Sequence, residues 1–262
     1  MAWEFYSKEP KMWYDDLCEY YNVSKEEALE LSTRSSGRKP SFPSSLTCKT
    51  VSGMSWEEIW DSKPRETIEQ KMSFYKDIGA WQSFRQCNYR KDFDYGYFYN
   101  KFVKGSDHLL EYGCGVGPMT NFYIDQVGDQ HNMRFSMVEV DCEHYEFAKW
   151  RLNKKAPNTN FKFHEVNSET PVPNFGKDKF NLICMMDVLE HLPNPHEVMT
   201  KIIEHSIPGT TMLETWVDHG DEGPGYADLE EAEAERGITM ELINNNFKLV
   251  EDHGFMRLWS KK

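Results

Sequence analysis

Three glycines at alternate positions constrain the fold of this chain more than any other feature. In "HLLEYGCGVGPMT", residues 108–120, an apolar segment is followed by Gly113, Gly115 and Gly117, and then by Pro118. Glycine adopts positive φ angles and lacks the Cβ that would keep a ligand at a distance. Because proline is well accommodated in the first turn of a helix, the stretch predicts a strand, a tight turn and a helix. Sheets of α/β proteins hold nucleotide-like ligands with such turns, at the carboxyl ends of their strands.

The spacing of these glycines differs from that of a dinucleotide-binding turn. A dinucleotide fingerprint reads G-x-G-x-x-G, but counted from Gly113 the third glycine position is occupied by Pro118. Proline lacks the N–H group that would bind a pyrophosphate oxygen at the start of the helix. We therefore expect a ligand that depends less on phosphate contacts. A turn that merely joins strand and helix is the alternative for the motif taken alone.

From residue 105 onward, strand-like and helix-like segments alternate, which predicts a mainly parallel α/β sheet. The first five strands are predicted in DHLLEYG, RFSMVEVD, FKFHEVN, KFNLICMMDV and, after Pro208 and Gly209, GTTMLETW. The fourth is apolar on both faces and is therefore expected at the centre of the sheet. The final FKLVEDHGFMRLWSKK predicts two strands in a hairpin that turns at His253 and Gly254.

Residues 1–104 have a different pattern, with helix-start signals and no strand-like alternation. Ser24 and Glu27 form a capping-box pair at the start of one predicted helix. Pro64 is expected in the first turn of another helix. We therefore predict a mostly helical N-terminal extension or cap over residues 1–104, and a ligand-binding domain over residues 105–262.

The charge of the chain limits its partners. It has 262 residues, with 30 Lys and Arg against 43 Asp and Glu, and a formal net charge of −13. Because binding of nucleic-acid phosphates needs a surplus of basic residues, a nucleic-acid partner is disfavoured. The six cysteines form no C-x-x-C pair, which fits a reducing compartment. With no signal-peptide pattern and no long apolar run, we expect a cytoplasmic protein without a membrane partner; the sequence leaves the oligomeric state open.

Polar side chains follow the predicted strands at the points where they end. Glu139 ends the second strand about twenty residues after the glycines, where an acidic side chain can accept both hydroxyls of a ribose. Asp141, two residues later, is a rival for this role. Asn167 and Ser168 end the third strand and Asp187 ends the fourth. Because the carboxyl ends of parallel strands meet at one edge of a sheet, this joint arrangement predicts a nucleoside-like ligand.

The quoted segments resemble a known family. "LLEYGCGVG", "MVEVD" and "FNLICMMDVLEHLPNP", with the terminal hairpin, resemble the class I S-adenosylmethionine-dependent methyltransferases over roughly residues 100–262. The resemblance implies a seven-stranded, mostly parallel Rossmann-like sheet with an antiparallel last strand. It also implies S-adenosyl-L-methionine as cofactor and S-adenosyl-L-homocysteine as product.

The resemblance further implies where the methyl donor is bound. It would lie across the turn of Gly113, Gly115 and Gly117, with Glu111 near its methionine amino group and Glu139 on its ribose. Asn167 and Ser168 would lie by the adenine, although the family often has Asp where Asn167 stands. Asp187, at the end of the fourth strand, is a further candidate cofactor-binding residue.

The segment "DVLEHL" brings Asp187, Glu190 and His191 within five residues. Such side chains can serve local structure or line a pocket, and Glu190 and His191 are the candidate catalytic residues because a carboxylate or an imidazole can act as a general base. Similar D/E-x-x-E-H stretches bind metal in ubiquinone-pathway O-methyltransferases and small-RNA 2′-O-methyltransferases. A divalent metal is therefore an open alternative, but we do not favour it and assign no metal ligand.

The aromatic segment "GAWQSFRQCNYRKDFDYGYFYNKF" comes just before the first predicted strand. It resembles the helical cap of this family, which often gives one tyrosine to the cofactor. Spacing does not distinguish Tyr95, Tyr97 and Tyr99; we take Tyr97 as the candidate cofactor-binding residue. The candidate substrate-binding residues are Trp81, Arg85 and Tyr95, and packing of the cap onto the sheet is the alternative for most of these rings.

These patterns together predict methyl transfer to an oxygen or nitrogen of a small-molecule acceptor. Two alternatives stay open: a protein or peptide methyltransferase, and a catalytically inactive cofactor-binding partner subunit. Aromatic rings with acidic neighbours such as Glu214 would suit a cationic acceptor. We interpret the acidic run at residues 228–237 as a solvated helix face without a function.

Overall fold

The protein is described from a computed structural model that covers residues 11–33, 56–90, 107–127, 132–216, 228–254 and 256–262. These residues fall into two compact units. The first unit contains the described residues of 1–101, 115–129 and 141–157, and the second contains those of 102–114, 130–140 and 158–262.

The described part of the first unit is helical. Its helices are α1 (Lys11–Tyr21), α2 (Lys25–Thr33), α3 (Trp56–Asp61), α4 (Ile68–Met72), α5 (Phe74–Asp77), α6 (Trp81–Arg90), α7 (Pro118–Val127) and α8 (Glu143–Lys155). Apolar side chains of α1, α2, α6 and α8 form its core together with Val116 from the glycine turn. The guanidinium of Arg151 is buried and pairs with Asp16, Nε to Oδ2 2.9 Å. The described residues of the predicted N-terminal segment are mostly helical, and its role as an extension or cap over residues 1–104 stays a prediction.

Two predicted helix starts have different outcomes. The capping box of α2 is confirmed: the Glu27 N–H donates to Ser24 Oγ at 3.1 Å, and the Ser24 N–H donates to Glu27 Oε2 at 2.9 Å. The predicted start at Pro64 is wrong, because α4 begins after Thr67. The Thr67 hydroxyl accepts from the N–H of Gln70, whose side chain accepts from the Thr67 N–H in return. This capping box satisfies two helix-end donors, which a proline side chain cannot do.

The second unit contains a seven-stranded sheet. Its strands are β1 (His108–Tyr112), β2 (Arg134–Val140), β3 (Asn160–Val166), β4 (Phe180–Met185), β5 (Ser206–Glu214), β6 (Phe247–Asp252) and β7 (Arg257–Lys261). The spatial order is β3-β2-β1-β4-β5-β7-β6. Strands β1 to β5 pair in parallel, and β7 is antiparallel to both β5 and β6. The predicted fold class, the central position of the fourth strand and the terminal hairpin are all confirmed.

The predicted start of the fifth strand is wrong. Strand β5 begins at Ser206, so that Pro208 and Gly209 lie within it. Ser206 pairs with Phe180, but the next pair joins Thr211 to Leu182, which leaves extra residues of β5 outside the ladder. Gly209 has a φ of +81°. Because a bulge accommodates a proline that cannot donate to the ladder, the strand continues through this dipeptide.

Two further helices, α9 (Pro195–His205) and α10 (Glu230–Asn246), belong to the second unit. They lie against each other, and the His196 N–H at the start of α9 donates to Glu235 Oε2 at 3.1 Å. Across the ranges that the structure describes, no helix has both the length and the apolar character needed to cross a membrane.

Candidate active site

All three glycines of the turn after β1 have left-handed backbone conformations. Their φ angles are +63° at Gly113, +53° at Gly115 and +68° at Gly117. At Gly113, an ideal Cβ would lie 2.9 Å from Cγ1 of Val188 and closer still to Cγ2. L-residues with a side chain adopt such φ angles at a cost, and this position also lacks room for one. The sequence therefore needs glycine here for two physical reasons.

In the first unit, Gln86 of α6 contacts the middle of the glycine turn. The Val116 N–H donates to Gln86 Oε1 at 3.0 Å. An ideal Cβ at Gly115 would lie 2.8 Å from both Cδ and Nε2 of Gln86, closer than real Cβ atoms come to their neighbours. Sequence reasoning missed Gln86, because no local pattern connects a helical glutamine to a turn thirty residues later.

The predicted strand-end residues of the second unit lie at the carboxyl end of the parallel strands. Glu111 is the fourth residue of β1, is buried, and pairs in register with Met137 and Cys184. Glu139 is near the end of β2 and is partly exposed, and its Oε1 accepts from the Val140 N–H at 2.8 Å. The structure thus places two acidic side chains on neighbouring strands at this edge.

Asn167 and Ser168 follow β3 in an exposed turn. The Oδ1 of Asn167 accepts from the N–H of Glu169 at 2.9 Å, and from the N–H and hydroxyl of Thr170 at 2.8 and 2.9 Å. This oxygen therefore holds the turn together. The contact of Asn167 and Ser168 with adenine stays a prediction.

Asp187 follows β4 in a left-handed conformation, with a φ of +53°. Its N–H donates to Thr215 Oγ1 at 2.7 Å, and the Thr215 hydroxyl is 3.2 Å from Asp187 Oδ1. A single 3₁₀ turn, Leu189–His191, comes next. The strand end and the turn thus position the Asp187, Glu190 and His191 side chains within one short segment.

Glu190 is buried, with 6% of its surface exposed. Its Oε2 has no hydrogen-bond partner among the described residues. Burial, as the largest cause, and the negative charges of Asp187, Asp228 and Glu214 together raise the pKa of this carboxyl to about 8. The carboxyl is consequently protonated at neutral pH.

His191 lies beside the first residues of the acidic run. Its Nδ1 is 3.5 Å from Oδ1 of Asp228, and the N–H of Leu229 donates to the Glu190 carbonyl at 2.9 Å. The interpretation of residues 228–237 as a solvated helix face is therefore wrong for Asp228 and Leu229, since α10 begins only at Glu230. Sequence reasoning missed Asp228 because its acidic neighbours gave it the appearance of a helix surface.

The other predicted residues have different outcomes. Trp81 and Arg85 lie on α6 and are partly buried. Tyr95, Tyr97 and Tyr99 lie outside the described residues. Asp141, the rival for the ribose, pairs with Lys76 at 2.9 Å on an exposed surface of the first unit.

The carboxylate of Glu214 already has charged and polar partners within the second unit. Its Oε1 is 2.6 Å from Arg257 Nε and accepts from Trp259 Nε1 at 3.1 Å, and its Oε2 accepts from the Trp216 N–H at 2.8 Å. A contact between Glu214 and a cationic acceptor stays a prediction, made less favourable by these three partners.

These observations fit a nucleoside ligand with a positive charge. Within the second unit, Gly113 at the end of β1 has no room for a side chain, and the strand ends carry Glu111, Glu139 and Asp187. Binding of a pyrophosphate would favour basic side chains, but none of the strand-end residues named here is basic. A family model described as a methyltransferase domain matches residues 81–260. The chain belongs to the S-adenosylmethionine-dependent methyltransferases.

Several solved structures are similar to this methyltransferase. A SAM-dependent methyltransferase from Aquifex aeolicus is 19% identical, over 64% of this chain and 89% of that one, with a TM-score of 0.47. A methyltransferase from Pyrococcus furiosus is 18% identical, over 63% of this chain and 80% of that one, with a TM-score of 0.42. The N-methyltransferase NodS from Bradyrhizobium japonicum WM9, in complex with S-adenosyl-L-homocysteine, is 12% identical, over 65% of this chain and 89% of that one, with a TM-score of 0.43. No curated protein matches the sequence significantly. Family membership rests on the sequence match; the donor is S-adenosyl-L-methionine.

Proposed function

We propose that this methyltransferase transfers a methyl group from S-adenosyl-L-methionine to an oxygen or nitrogen atom of a small-molecule acceptor. One observation carries the proposal: the turn after β4 contains Glu190, whose carboxyl is buried, and His191, whose Nδ1 is 3.5 Å from Oδ1 of Asp228. A general base is needed when an acceptor must lose a proton before it is methylated. A hydroxyl group or a protonated amine is such an acceptor.

The methyl donor supplies an activated methyl group and its own leaving group, so the chain has mainly to orient the reactants. We assign donor binding to the main chain at Gly113, Gly115 and Gly117. The side chains assigned to the donor are those of Glu111, Glu139, Asn167, Ser168 and Asp187. Glu139 is the most specific of these, because a carboxylate accepts hydrogen bonds from both ribose hydroxyls.

His191 and Glu190 are the proposed catalytic residues. His191 would accept the proton that the acceptor loses, and the carboxylate of Asp228 would stabilise the resulting imidazolium. Glu190, protonated at neutral pH, would donate a hydrogen bond that orients the acceptor. Trp81 and Arg85 are proposed to contact the rest of the acceptor.

The charge of the chain supports a small acceptor. A net charge of −13 opposes the approach of a polyanion. Five cysteines in the described ranges, at positions 18, 87, 114, 142 and 184, are not joined in disulfide bonds. This supports a reducing compartment, and we propose the cytoplasm.

Incubation of a metabolite library with methyl-labelled S-adenosyl-L-methionine, with and without EDTA, tests this function. We expect label in a low-molecular-weight product, no effect of EDTA, a large loss of turnover in His191→Ala, and little change in His253→Ala. His253 is an exposed histidine in the terminal hairpin and serves as the matched control. Label in protein or nucleic acid only, or donor binding without turnover, would contradict the proposal. Loss of turnover in EDTA would favour the alternative of a divalent metal bound by Asp187, Glu190 and His191.

A further inference from the structure

The side chain of Gln86 occupies the space that glycine leaves free in the middle of the donor turn. A Cβ at residue 115 would collide with the Gln86 amide group, whose oxygen accepts from the Val116 N–H at 3.0 Å. One observation concerns space and the other a hydrogen bond, and both involve the same amide group. Together they show that Gly115 admits a side chain from α6.

The amide of Gln86 lies at the end of a flexible side chain and is able to move away from a Cβ. To do so it must give up its bond to the Val116 N–H, because both depend on one position of the amide. Val116 is fully buried, so that its N–H would lose its partner away from water. The turn would then lose one of the contacts that fix its conformation.

We propose that Gln86 is a positioning residue for methyl-donor binding, which it promotes by holding the Gly115–Gly117 part of the turn in its left-handed conformation. The inference rests on the proposed placement of the donor at this turn. A turn that is fixed before binding loses less conformational freedom when the ligand binds, and affinity rises accordingly. Gln86 also connects the donor turn to the helix that carries Trp81 and Arg85.

Calorimetric titration with S-adenosyl-L-methionine tests this role. We expect Gln86→Met, which keeps the length of the side chain but removes the acceptor oxygen, to weaken binding about five- to tenfold, the equivalent of one hydrogen bond. Gln86→Glu retains an acceptor oxygen and is expected to bind much more tightly than Gln86→Met. Gln126→Met, at an exposed glutamine of α7, is the matched control and should bind like the wild type.

A double-mutant cycle tests the steric part. Gly115→Ala should weaken donor binding strongly in the wild-type protein and less in a Gln86→Ala background, where the colliding amide is gone. Some loss should persist in that background, since φ at residue 115 is +53°. Equal losses in both backgrounds would overturn the inference.

Unfolding midpoints measured on the same samples separate the outcomes. If Gln86→Met does not fold, the comparison passes to Gln86→Asn, which keeps the amide but shortens the side chain by one methylene and should also bind less tightly. Wild-type affinity in folded Gln86→Met would overturn the inference and leave the methyltransferase function intact. Absence of donor binding in the wild type would overturn both.

Discussion

The side chain of Val188 fills the space that a β-carbon at Gly113 would need. Val188 Cγ1 would be 2.9 Å from such an atom, and Cγ2 closer. Val188 belongs to the segment that carries Asp187 and Glu190, so the turn after β1 and the proposed acid–base turn after β4 are packed directly against each other. A change at either one is therefore expected to disturb both.

Gly113→Ala is expected to lower the free energy of unfolding by about 2–5 kcal/mol. A left-handed conformation costs a residue with a side chain about 1–2 kcal/mol, and displacement of Val188 adds a further cost of about 1–3 kcal/mol. Gly176→Ala is the control, because φ at Gly176 is +59° but nothing lies within 4 Å of its Cβ position. Urea unfolding should show the smaller, backbone cost there. Equal losses in the two variants would contradict the packing of Val188 against residue 113.

Glu190 is expected to make stability fall as the pH rises. Its pKa is about 8 in the folded protein against an ordinary value of 4.5, so between these two values the folded state holds a proton that the unfolded state has released. The stabilising contribution is complete below pH 4.5 and is lost as the pH rises through about 8. Because Glu190→Gln cannot ionise, its free energy of unfolding relative to that of the wild type should rise by up to about 1.4 kcal/mol per pH unit in this window.

Urea unfolding of both proteins at pH 5, 6, 7 and 8 measures this difference. Glu204→Gln, at an exposed glutamate of α9, should show a constant difference from the wild type over the same range. If Glu190→Gln also gave a constant difference, the Glu190 carboxyl would be ionised in the folded protein and the proposed hydrogen-bond donor would be lost.

Arg257→Met is expected to destabilise the protein by about 3–5 kcal/mol, because it leaves the fully buried carboxylate of Glu214 without its cation. The double variant Arg257→Met/Glu214→Gln should recover part of this loss, since no buried charge remains. The coupling free energy from a double-mutant cycle in urea is the measurement. Additive losses would show that the two side chains are energetically independent.

The sheet could be predicted because local sequence determines most of it. The apolar FNLICM run indicates a strand buried on both faces, and the three glycines mark the turn where β1 ends. The capping pair of Ser24 and Glu27 likewise acts within one helical turn. At two places a proline signal gave a wrong prediction. The hydroxyl cap at Thr67 starts α4 three residues after Pro64, and a bulge lets β5 continue through Pro208 and Gly209.

The most important contacts at the site could not be predicted from local sequence patterns. Gln86 meets the glycine turn, and Asp228 meets His191, only because the fold brings distant segments together. Nothing in the spacing of these residues indicates either contact. The acidic residues that follow Asp228 are typical of a helix surface, so Asp228 was predicted to lie on the helix, whereas it precedes α10 and pairs with His191.

Calorimetric titration of S-adenosyl-L-homocysteine into the wild type and Glu139→Ala tests the central claim most directly. The wild type should bind, and loss of the carboxylate should weaken binding roughly 10- to 100-fold, the equivalent of charge-assisted hydrogen bonds to the ribose hydroxyls. Glu204→Ala removes the same charge from an exposed position on α9 and should leave the affinity unchanged. A wild type that releases no heat, or a Glu139→Ala variant that binds as tightly as the wild type, would contradict the proposed donor site.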